Sequence, residues 1–222
     1  MGNTLEDLLK ELDSQDEADR RYAIEDLGEL GDEKAIPALV KALGDPAIAV
    51  REAATDALIA IGGQEVCRHV IALLDSEDAW LRNYATEILE QLGPDAVEGV
   101  IELCKSESSD IRKFALDILG RIGEVNEVNA FEEIIELLDD ENINVAAAAA
   151  EALGRIGDPA AIPVLASHLW GDPWLQCNVI HAISQIGGSE ARRVIESIDP
   201  ASLSKEATPY YEMAVSMLGV SR

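Results

Sequence analysis

Cysteine and histidine are the residues of this chain that could serve nucleophilic catalysis. Cys177 and His181 stand four residues apart, so on a helix they would share a face, where an imidazole can take the proton of a thiol. No third residue is placed to orient His181, and a lone pair at this spacing is more often incidental. The P-loop, GxSxG and GxGxxG patterns are absent from the sequence. We therefore expect no catalytic residues.

The cysteine pattern also argues against a metal centre. Cys67, Cys104 and Cys177 are an odd number, with no CxxC spacing and no paired histidines, so neither a disulfide framework nor a zinc site is indicated. Reduced, buried thiols are the interpretation that this pattern favours. We expect no metal and no cofactor.

Charge and hydropathy limit the classes of partner. The formal net charge is −26, from 17 Lys and Arg against 43 Asp and Glu, which disfavours nucleic acid and anionic membranes. No run approaches the roughly 18 apolar residues of a membrane span, and the N-terminal segment MGNTLEDLLKEL lacks the apolar region of a signal peptide. These features predict a cytoplasmic protein that does not bind membranes.

An internal repeat organises the whole sequence. The pattern Leu-x-x-(Ile/Leu)-Gly recurs at spacings of 31, 31, 30, 34, 30 and 32 residues, which is the signature of a repeat architecture. The closing glycines, here called the repeat glycines, are Gly31, Gly62, Gly93, Gly123, Gly157, Gly187 and Gly219.

Each repeat contains two amphipathic helices. Apolar residues one, four, eight and twelve positions before the repeat glycine form one stripe at 100° per residue, which predicts a helix of about fifteen residues, helix B. Alanine is frequent at the eighth position, as in Ala54 and Ala85, and lets neighbouring helices approach closely. An upstream apolar stretch, such as Ile36 to Leu43, predicts helix A, and Gly-Asp-Pro or Asp-Ser turns separate A from B.

We predict a single all-α solenoid over residues 1–222, because two such helices cannot bury their apolar faces alone and must stack on the next pair. The expected repeats span 1–31, 32–62, 63–93, 94–123, 124–157, 158–187 and 188–222. Asp19 and Asp26 replace apolar residues in the first repeat, and the last has a longer turn from Asp199 to Thr208. Both repeats are therefore expected to be caps. The 34-residue spacing places an insertion, Glu124 to Asn129, in an exposed loop.

GDEKAIPALVKAL at 31–43 and GDPAAIPVL at 157–165 resemble the short HEAT-like repeats of the phycobilisome-lyase type, and the resemblance covers nearly the whole chain. It implies that helices B line a concave wall. It also implies a structural arginine ladder, in which a basic residue early in helix B bonds acidic or carbonyl groups near the A-to-B turn. The matching residues, eleven before the repeat glycine, are Arg20, Arg51, Arg82 and Arg112.

The expected acceptors of that ladder are Asp13, Asp45 and Asp75. Its later positions hold Ala146, Gln176 and Thr208. The resemblance therefore implies that the last three repeats depart from the family's stacking.

One arc of helix B lies outside the apolar stripe, at positions thirteen, nine, six and two before the repeat glycine; we call it the B-face. Its sixth position carries one carboxylate per repeat over five repeats, and its ninth and thirteenth positions hold six of the nine aromatics. Exposed rings among charges suit an interface hot spot. The alternatives are that the carboxylates form an ordinary solvated face and that the ninth-position rings, Tyr22 and Tyr210 among them, pack between helices.

The sequence favours a non-catalytic scaffold or adaptor that binds a protein or peptide with basic and apolar residues on the B-face. The expected partner-binding residues are Trp80, Tyr84, Glu87, Phe114, Asp117, Arg121, Trp174, Glu25, Asp56 and Glu151. The alternative is a bilin-lyase-like or other small-ligand enzyme or chaperone, since such a protein needs a groove and aromatics more than a strict motif.

Overall fold

The computed structural model describes residues 4–220, which form fourteen α-helices and no strand. The A helices are α1 Leu5–Glu11, α3 Ile36–Ala42, α5 Gly63–Ile71, α7 Pro94–Leu103, α9 Phe131–Glu136, α11 Ala161–Ser167 and α13 Gly188–Ser197. The B helices are α2 Glu17–Leu30, α4 Ile48–Ile61, α6 Ala79–Leu92, α8 Ser109–Gly123, α10 Ile143–Ile156, α12 Pro173–Ile186 and α14 Thr208–Leu218. Short 3-10 segments extend several A helices. The all-α repeat fold is as predicted.

The helices form two compact units: the first ends at Gly99 and the second begins at Val100, so the boundary in the sequence falls inside α7. In the first unit α2, α4 and α6 pack side by side through buried residues such as Ala54, Leu58 and Leu89. In the second unit α8, α10, α12 and α14 do the same through Leu119, Leu153 and others. The predicted stripe is buried at its eighth and fourth positions in the first six repeats, whereas Leu30, one before Gly31, is 50% exposed.

Helix boundaries follow the predicted turn chemistry. Asp16, Asp78 and Asp172 cap the N-termini of α2, α6 and α12, because each carboxylate accepts the backbone N–H two residues on. The residues between α8 and α9, including Glu124 and Val125, are mostly exposed and non-helical, so the insertion is a loop.

Six of the seven repeat glycines have a positive φ, such as 74° at Gly157. Gly31, Gly157 and Gly219 end their helices in the left-handed αL conformation, whereas Gly62, Gly93 and Gly187 combine a positive φ with a strongly negative ψ. Gly123 differs from the expectation. It stays helical as the last residue of α8, and Glu124 is the C-cap. Glycine is required at this position for space, because a Cβ on Gly123 would lie 2.4 Å from Cγ1 of Ile156.

Close helix approach in the second unit depends on further small residues, three before the repeat glycine. A Cβ on Gly154 would lie 2.8 Å from Cα of Ala182, a backbone atom of α12 that cannot yield by changing a rotamer. Gly28 has the same relation to Ala57 in the first unit. Helices α10 and α12 therefore stack tightly although neither carries an arginine at the ladder position.

The arginines bond the A-to-B turns in a regular way. Arg20, Arg51, Arg82 and Arg112 each donate from Nη1 to the carbonyl oxygen of the residue six before, at 2.9, 2.7, 2.6 and 2.8 Å. The acidic partner differs from the expectation, because it belongs to the following repeat. Arg20 bonds both carboxylate oxygens of Asp45 at 2.8 and 2.9 Å. Asp13 and Asp75 take no part in the described bonds of the ladder.

Arg112 and Asp140 form the corresponding pair in the second unit. Nε and Nη2 of Arg112 donate to the two oxygens of Asp140 at 2.7 and 2.8 Å, and both side chains are under one-tenth exposed. Asp140 also accepts from the backbone N–H of Asn142. One carboxylate therefore joins helix B of one repeat to the start of helix B in the next.

Gln176 continues the ladder without charge. The buried amide donates from Nε2 to the carbonyl oxygen of Leu169 at 2.8 Å, and its Oε1 accepts from the backbone N–H of Ser204, 28 residues on. Arg112 and Asp140 have the same separation in sequence. The ladder thus extends to the last repeat, beyond the point where the sequence suggested that it stops.

The Arg112 pair should make stability depend on acidic pH. Burial raises the pKa of Asp140, but the hydrogen bond from Arg112 and the Asn142 N–H outweigh it, so the pKa is lowered from 3.8. A lowered pKa contributes stability at pH values above the unfolded pKa, and this is lost as the pH falls below about 4. Arg112→Ala should lower the free energy of unfolding at pH 7 by about 2 kcal/mol, less than the loss for a fully buried pair. The variant should also lose less stability than the wild type as the pH falls below about 4. Urea unfolding at several pH values measures the free energy of unfolding and its pH dependence.

Lys113→Ala is the matched control, because Lys113 is half-exposed beside Arg112 and reaches only Asp110 at 3.9 Å. A loss of stability in the control equal to that in Arg112→Ala would contradict the role of the pair.

Helix contact through Gly154 gives a second prediction. Gly154→Ala should lower the free energy of unfolding by about 1–3 kcal/mol, since the new methyl overlaps α12, although alanine favours the helix by about 1 kcal/mol. Gly171→Ala is the control, because its Cβ would meet only the His168 carbonyl oxygen at 3.9 Å. Thermal unfolding of both variants measures the difference in stability. Equal melting temperatures would contradict the prediction and would mean that α10 and α12 can move apart freely.

Candidate binding surface

The B-face of the first unit is exposed, as its arc outside the apolar stripe predicts. Glu25, Asp56 and Glu87 are all exposed on α2, α4 and α6. Trp80 is 64% exposed at the start of α6, and Asp78 fixes the backbone there by accepting the Trp80 N–H at 2.8 Å. A rigid helix end thus presents a large apolar ring to solvent.

The ninth-position aromatics divide into exposed and half-buried rings. Tyr22 is 56% exposed, and the Arg21 guanidinium lies 4.6 Å from its ring centroid. Tyr84 is half-buried, and its hydroxyl accepts from Nε of Arg51 at 3.3 Å. Tyr84 therefore accepts from Arg51 in place of the aspartate that the third repeat lacks. The ring belongs partly to the stack and partly to the surface.

A groove of about 240 Å³ separates α2 from α4 on this face. It is lined by the small residues Gly28, Ala53, Ala57 and Ala60 and by the carboxylates Glu25, Glu29 and Asp56. Gly28 is also where α2 approaches Ala57 of α4 most closely among the described glycines of the first unit.

Charge pairing differs among these carboxylates. Nη1 of Arg21 contacts Glu25 at 3.1 Å. Asp56, Glu29 and Glu87 have no ion-pair partner among residues 4–220. The first unit therefore presents carboxylates whose charge is not neutralised locally.

The B-face of the second unit has a different charge pattern. Asp117 contacts Arg121 on its own helix at 3.3 Å and accepts from Nη1 of Arg155, on α10, at 2.8 Å. Arg155 also contacts Glu151 at 2.7 Å and Glu124 at 3.6 Å. Asp117 and Glu151 thus sit in an ion-pair network, and the sequence analysis missed Arg155. The signal was available, since Arg121 and Arg155 both stand two before a repeat glycine, four residues after a carboxylate.

The remaining predicted surface residues of the second unit lie on α8 and α12. Phe114 is half-buried on α8. Trp174 is 52% exposed, and Asp172 accepts its backbone N–H at 2.7 Å. Trp170, also exposed, precedes the same turn and was not selected from the sequence. Tyr210 is half-buried with its ring edge-on to His181 at 6.3 Å between centroids.

Cys177 and His181 do not form an activated pair. The Cys177 thiol is buried and donates to the carbonyl oxygen of Pro173 at 3.1 Å, and Nδ1 of His181 has no hydrogen-bond partner. Burial raises the pKa of the Cys177 thiol, with the charge of Glu206 adding to the effect. Burial also raises the pKa of Cys67 and of Cys104 to about 11. All three cysteines are buried and unpaired, as predicted.

The described part of the chain offers neither a metal-binding cluster nor a membrane-spanning helix. Residues 4–220 contain no cluster of three or more His, Cys, Asp or Glu side chains suited to holding a metal ion. Within that range no helix has both the length and the apolar character that crossing a bilayer demands.

Comparison with known proteins places the chain in a family. The HEAT-repeat family model matches residues 5–90, 68–136, 97–174 and 131–203, and so extends over most of the sequence. The chain belongs to the HEAT-repeat family, which confirms the resemblance that its repeats suggested. No curated protein matched the sequence.

Solved structures with similar folds include an engineered protein and two enzymes. An engineered protein is 23% identical, with 100% of this chain and 69% of that chain covered and a TM-score of 0.48. The complex of CpcE and CpcF of phycocyanin lyase from Nostoc sp. PCC7120 is 23% identical, with 98% and 96% covered and a TM-score of 0.40. Human deoxyhypusine hydroxylase in complex with glycerol is 20% identical, with 99% and 86% covered and a TM-score of 0.47. At these similarities the functions of those proteins do not transfer.

The buried thiols give a prediction that bears on nucleophilic chemistry. At pH 8 a thiol of pKa about 11 is ionised roughly two orders of magnitude less than one of pKa about 8.5, and burial blocks access as well. Cys67, Cys104 and Cys177 should therefore resist iodoacetamide in the native protein and react fully in urea. Mass spectrometry of the alkylated peptides measures each site. Fast native labelling of Cys177 alone would contradict this and would favour a reactive thiol.

Proposed function

We propose that this chain is a non-catalytic scaffold or adaptor that binds a protein or peptide through its B-face, and that the partner segment carries Lys or Arg beside apolar residues. One observation carries the proposal. The first unit exposes Trp80 and Tyr22 on the same helix faces as carboxylates, Asp56 and Glu87, that have no ion-pair partner among the described residues.

Rings and carboxylates would have separate roles in binding. Burying an exposed tryptophan removes a large apolar area from water, and such residues commonly contribute about 2 kcal/mol or more to an interface. Unpaired carboxylates attract a basic segment over distance and set its direction, and the net charge of −26 adds to that field. The small side chains that line the α2–α4 groove leave room for the aliphatic stem of a Lys or Arg side chain.

The carboxylates of the second unit support the proposal less strongly. Arg121 and Arg155 already contact Asp117 and Glu151, so a basic partner would have to displace them. We therefore assign the basic part of the partner to Glu25, Asp56 and Glu87 of the first unit, and treat Phe114 and Trp174 of the second unit as a separate candidate for apolar contact.

The absence of catalysis is part of the proposal. Its support is that the cysteines are buried with raised pKa values and that Cys177 and His181 do not pair. Three unpaired thiols also fit a reducing compartment, so we place the scaffold in the cytoplasm.

Affinity capture with matched variants tests the proposal. The tagged chain, its Trp80→Ala variant and its Trp170→Ala variant would capture polypeptides from the native lysate for mass spectrometry. A true partner should be lost with Trp80→Ala and kept with Trp170→Ala, because Trp170 lies at an A-to-B turn and not on the B-face. Calorimetry should then give about a 30-fold weaker affinity for Trp80→Ala, which corresponds to about 2 kcal/mol.

Charge reversal tests the electrostatic part with the same partner. Asp56→Lys with Glu87→Lys should mainly slow association, and salt should weaken wild-type binding. Glu11→Lys with Glu33→Lys changes the net charge equally on exposed A-helix positions, so it should have a smaller effect. If both charge-reversal variants slowed association equally, the effect would come from the net charge of the protein and not from the B-face carboxylates. Unchanged affinity in Trp80→Ala and the B-face pair, with native circular dichroism, would place the partner elsewhere.

A further inference from the structure

A cleft of about 430 Å³ lies between α1, α2, α3 and the start of α4, beside the A-to-B turns of the first two repeats and away from the B-face. Small-molecule sites in proteins have volumes of roughly 300–1,000 Å³ and a largely apolar lining with few polar groups. The apolar lining here consists of Leu9, Leu12, Ile24, Ala38, Ala42 and Val50. The cleft therefore has the size and the lining of a ligand site.

Two opposite charges in the lining have no partner. Lys41 is exposed at the end of α3 and Asp13 is exposed just after α1. Neither forms an ion pair with the other or with any other residue in the range 4–220. Both would gain from a ligand that carries the complementary charges.

The ion pair in the wall adds hydrogen-bond donors and little acceptor capacity. Asp45 already accepts three hydrogen bonds, from Nε and Nη2 of Arg20 and from the Ala47 N–H, so at most about one acceptor site of its carboxylate is left. Arg20 donates three of its five N–H groups, two to Asp45 and one to the Ser14 carbonyl oxygen. Its remaining N–H groups and Lys41 favour a carboxylate, and Asp13 favours an ammonium group.

We propose that this cleft binds an apolar α-amino acid of the leucine or phenylalanine class. The side chain occupies the apolar lining, the carboxylate meets Lys41 and Arg20, and the ammonium group meets Asp13. The amino acid has no net charge, which matters because the protein carries a charge of −26. Its long-range field repels a ligand that is only a carboxylate, and it draws a ligand that is only an amine to the many other carboxylates of the surface. This site is separate from the protein-binding surface proposed above.

Titration of the full chain with leucine, followed by amide chemical shifts in ¹H–¹⁵N spectra, tests the proposal. Leucine should bind with a Kd on the order of 1 mM, typical of so small a ligand, and the shifts should concentrate at the cleft. Three comparators each lack one feature: 4-methylpentanoate has no ammonium group, 3-methylbutylamine has no carboxylate, and serine has no apolar side chain. Each should bind at least tenfold more weakly.

Variants separate this site from the rest of the molecule. Ala42→Phe fills the cleft and should abolish binding, and Lys41→Ala and Asp13→Asn, which change exposed side chains, should each weaken leucine about tenfold. Lys34→Ala, an exposed lysine outside the cleft, and Trp80→Ala should bind leucine as the wild type does. The proposal is overturned if leucine gives no saturable shifts up to about 20 mM. It is likewise overturned if 3-methylbutylamine matches leucine, or if Lys41→Ala and Lys34→Ala behave alike.

Discussion

Close stacking of the B helices of this protein depends on small side chains at particular positions between them, and other features of each unit depend on that close approach. Alanines eight positions before the repeat glycine are fully buried, for example Ala54 and Ala149. Gly28 and Gly154 bring their helices against Ala57 and Ala182 on the next helix. Apolar burial supplies the driving force, at about 1.5–3 kcal/mol for each large side chain that is fully enclosed. The small residues decide how near the next repeat lies, and so which polar groups can meet.

The arginine ladder is the polar consequence of this stacking. Arg20 and Arg112 each satisfy a turn carbonyl of their own repeat and the aspartate of the next, and the same aspartates accept the backbone N–H of the residue just before the following B helix. A carboxylate in this position loses hydration, and the paired guanidinium compensates for that loss. Gln176 achieves the same link between repeats with an amide, which carries no charge into the interior. Loss of the arginine from a ladder position therefore need not loosen the stack.

Stacking also explains why equivalent surface positions differ in chemistry. The sixth position before the repeat glycine presents a carboxylate in both units, yet Asp117 meets Arg155 from the neighbouring helix while Asp56 and Glu87 meet no cation in the described structure. A repeat thus defines where a side chain points, and its neighbours define whether the charge is available. The difference concentrates unneutralised B-face charge in the first unit, at Asp56 and Glu87. In the second unit the same face is crossed by ion pairs.

The sequence by itself determined the helices, their buried stripes, the insertion loop and the exposed arc of helix B. These are properties of a single helix, because the 3.6-residue period and the turn residues act within about fifteen positions. Only the tertiary structure decided that Arg20 pairs with Asp45 instead of Asp13, that Gln176 extends the ladder, that Arg155 neutralises Asp117, and that Gly123 remains helical. Each of these depends on residues 25 to 38 positions away. Such contacts exist only once the repeats have stacked, since the distance between helices is set by side-chain volumes that no single-helix pattern encodes.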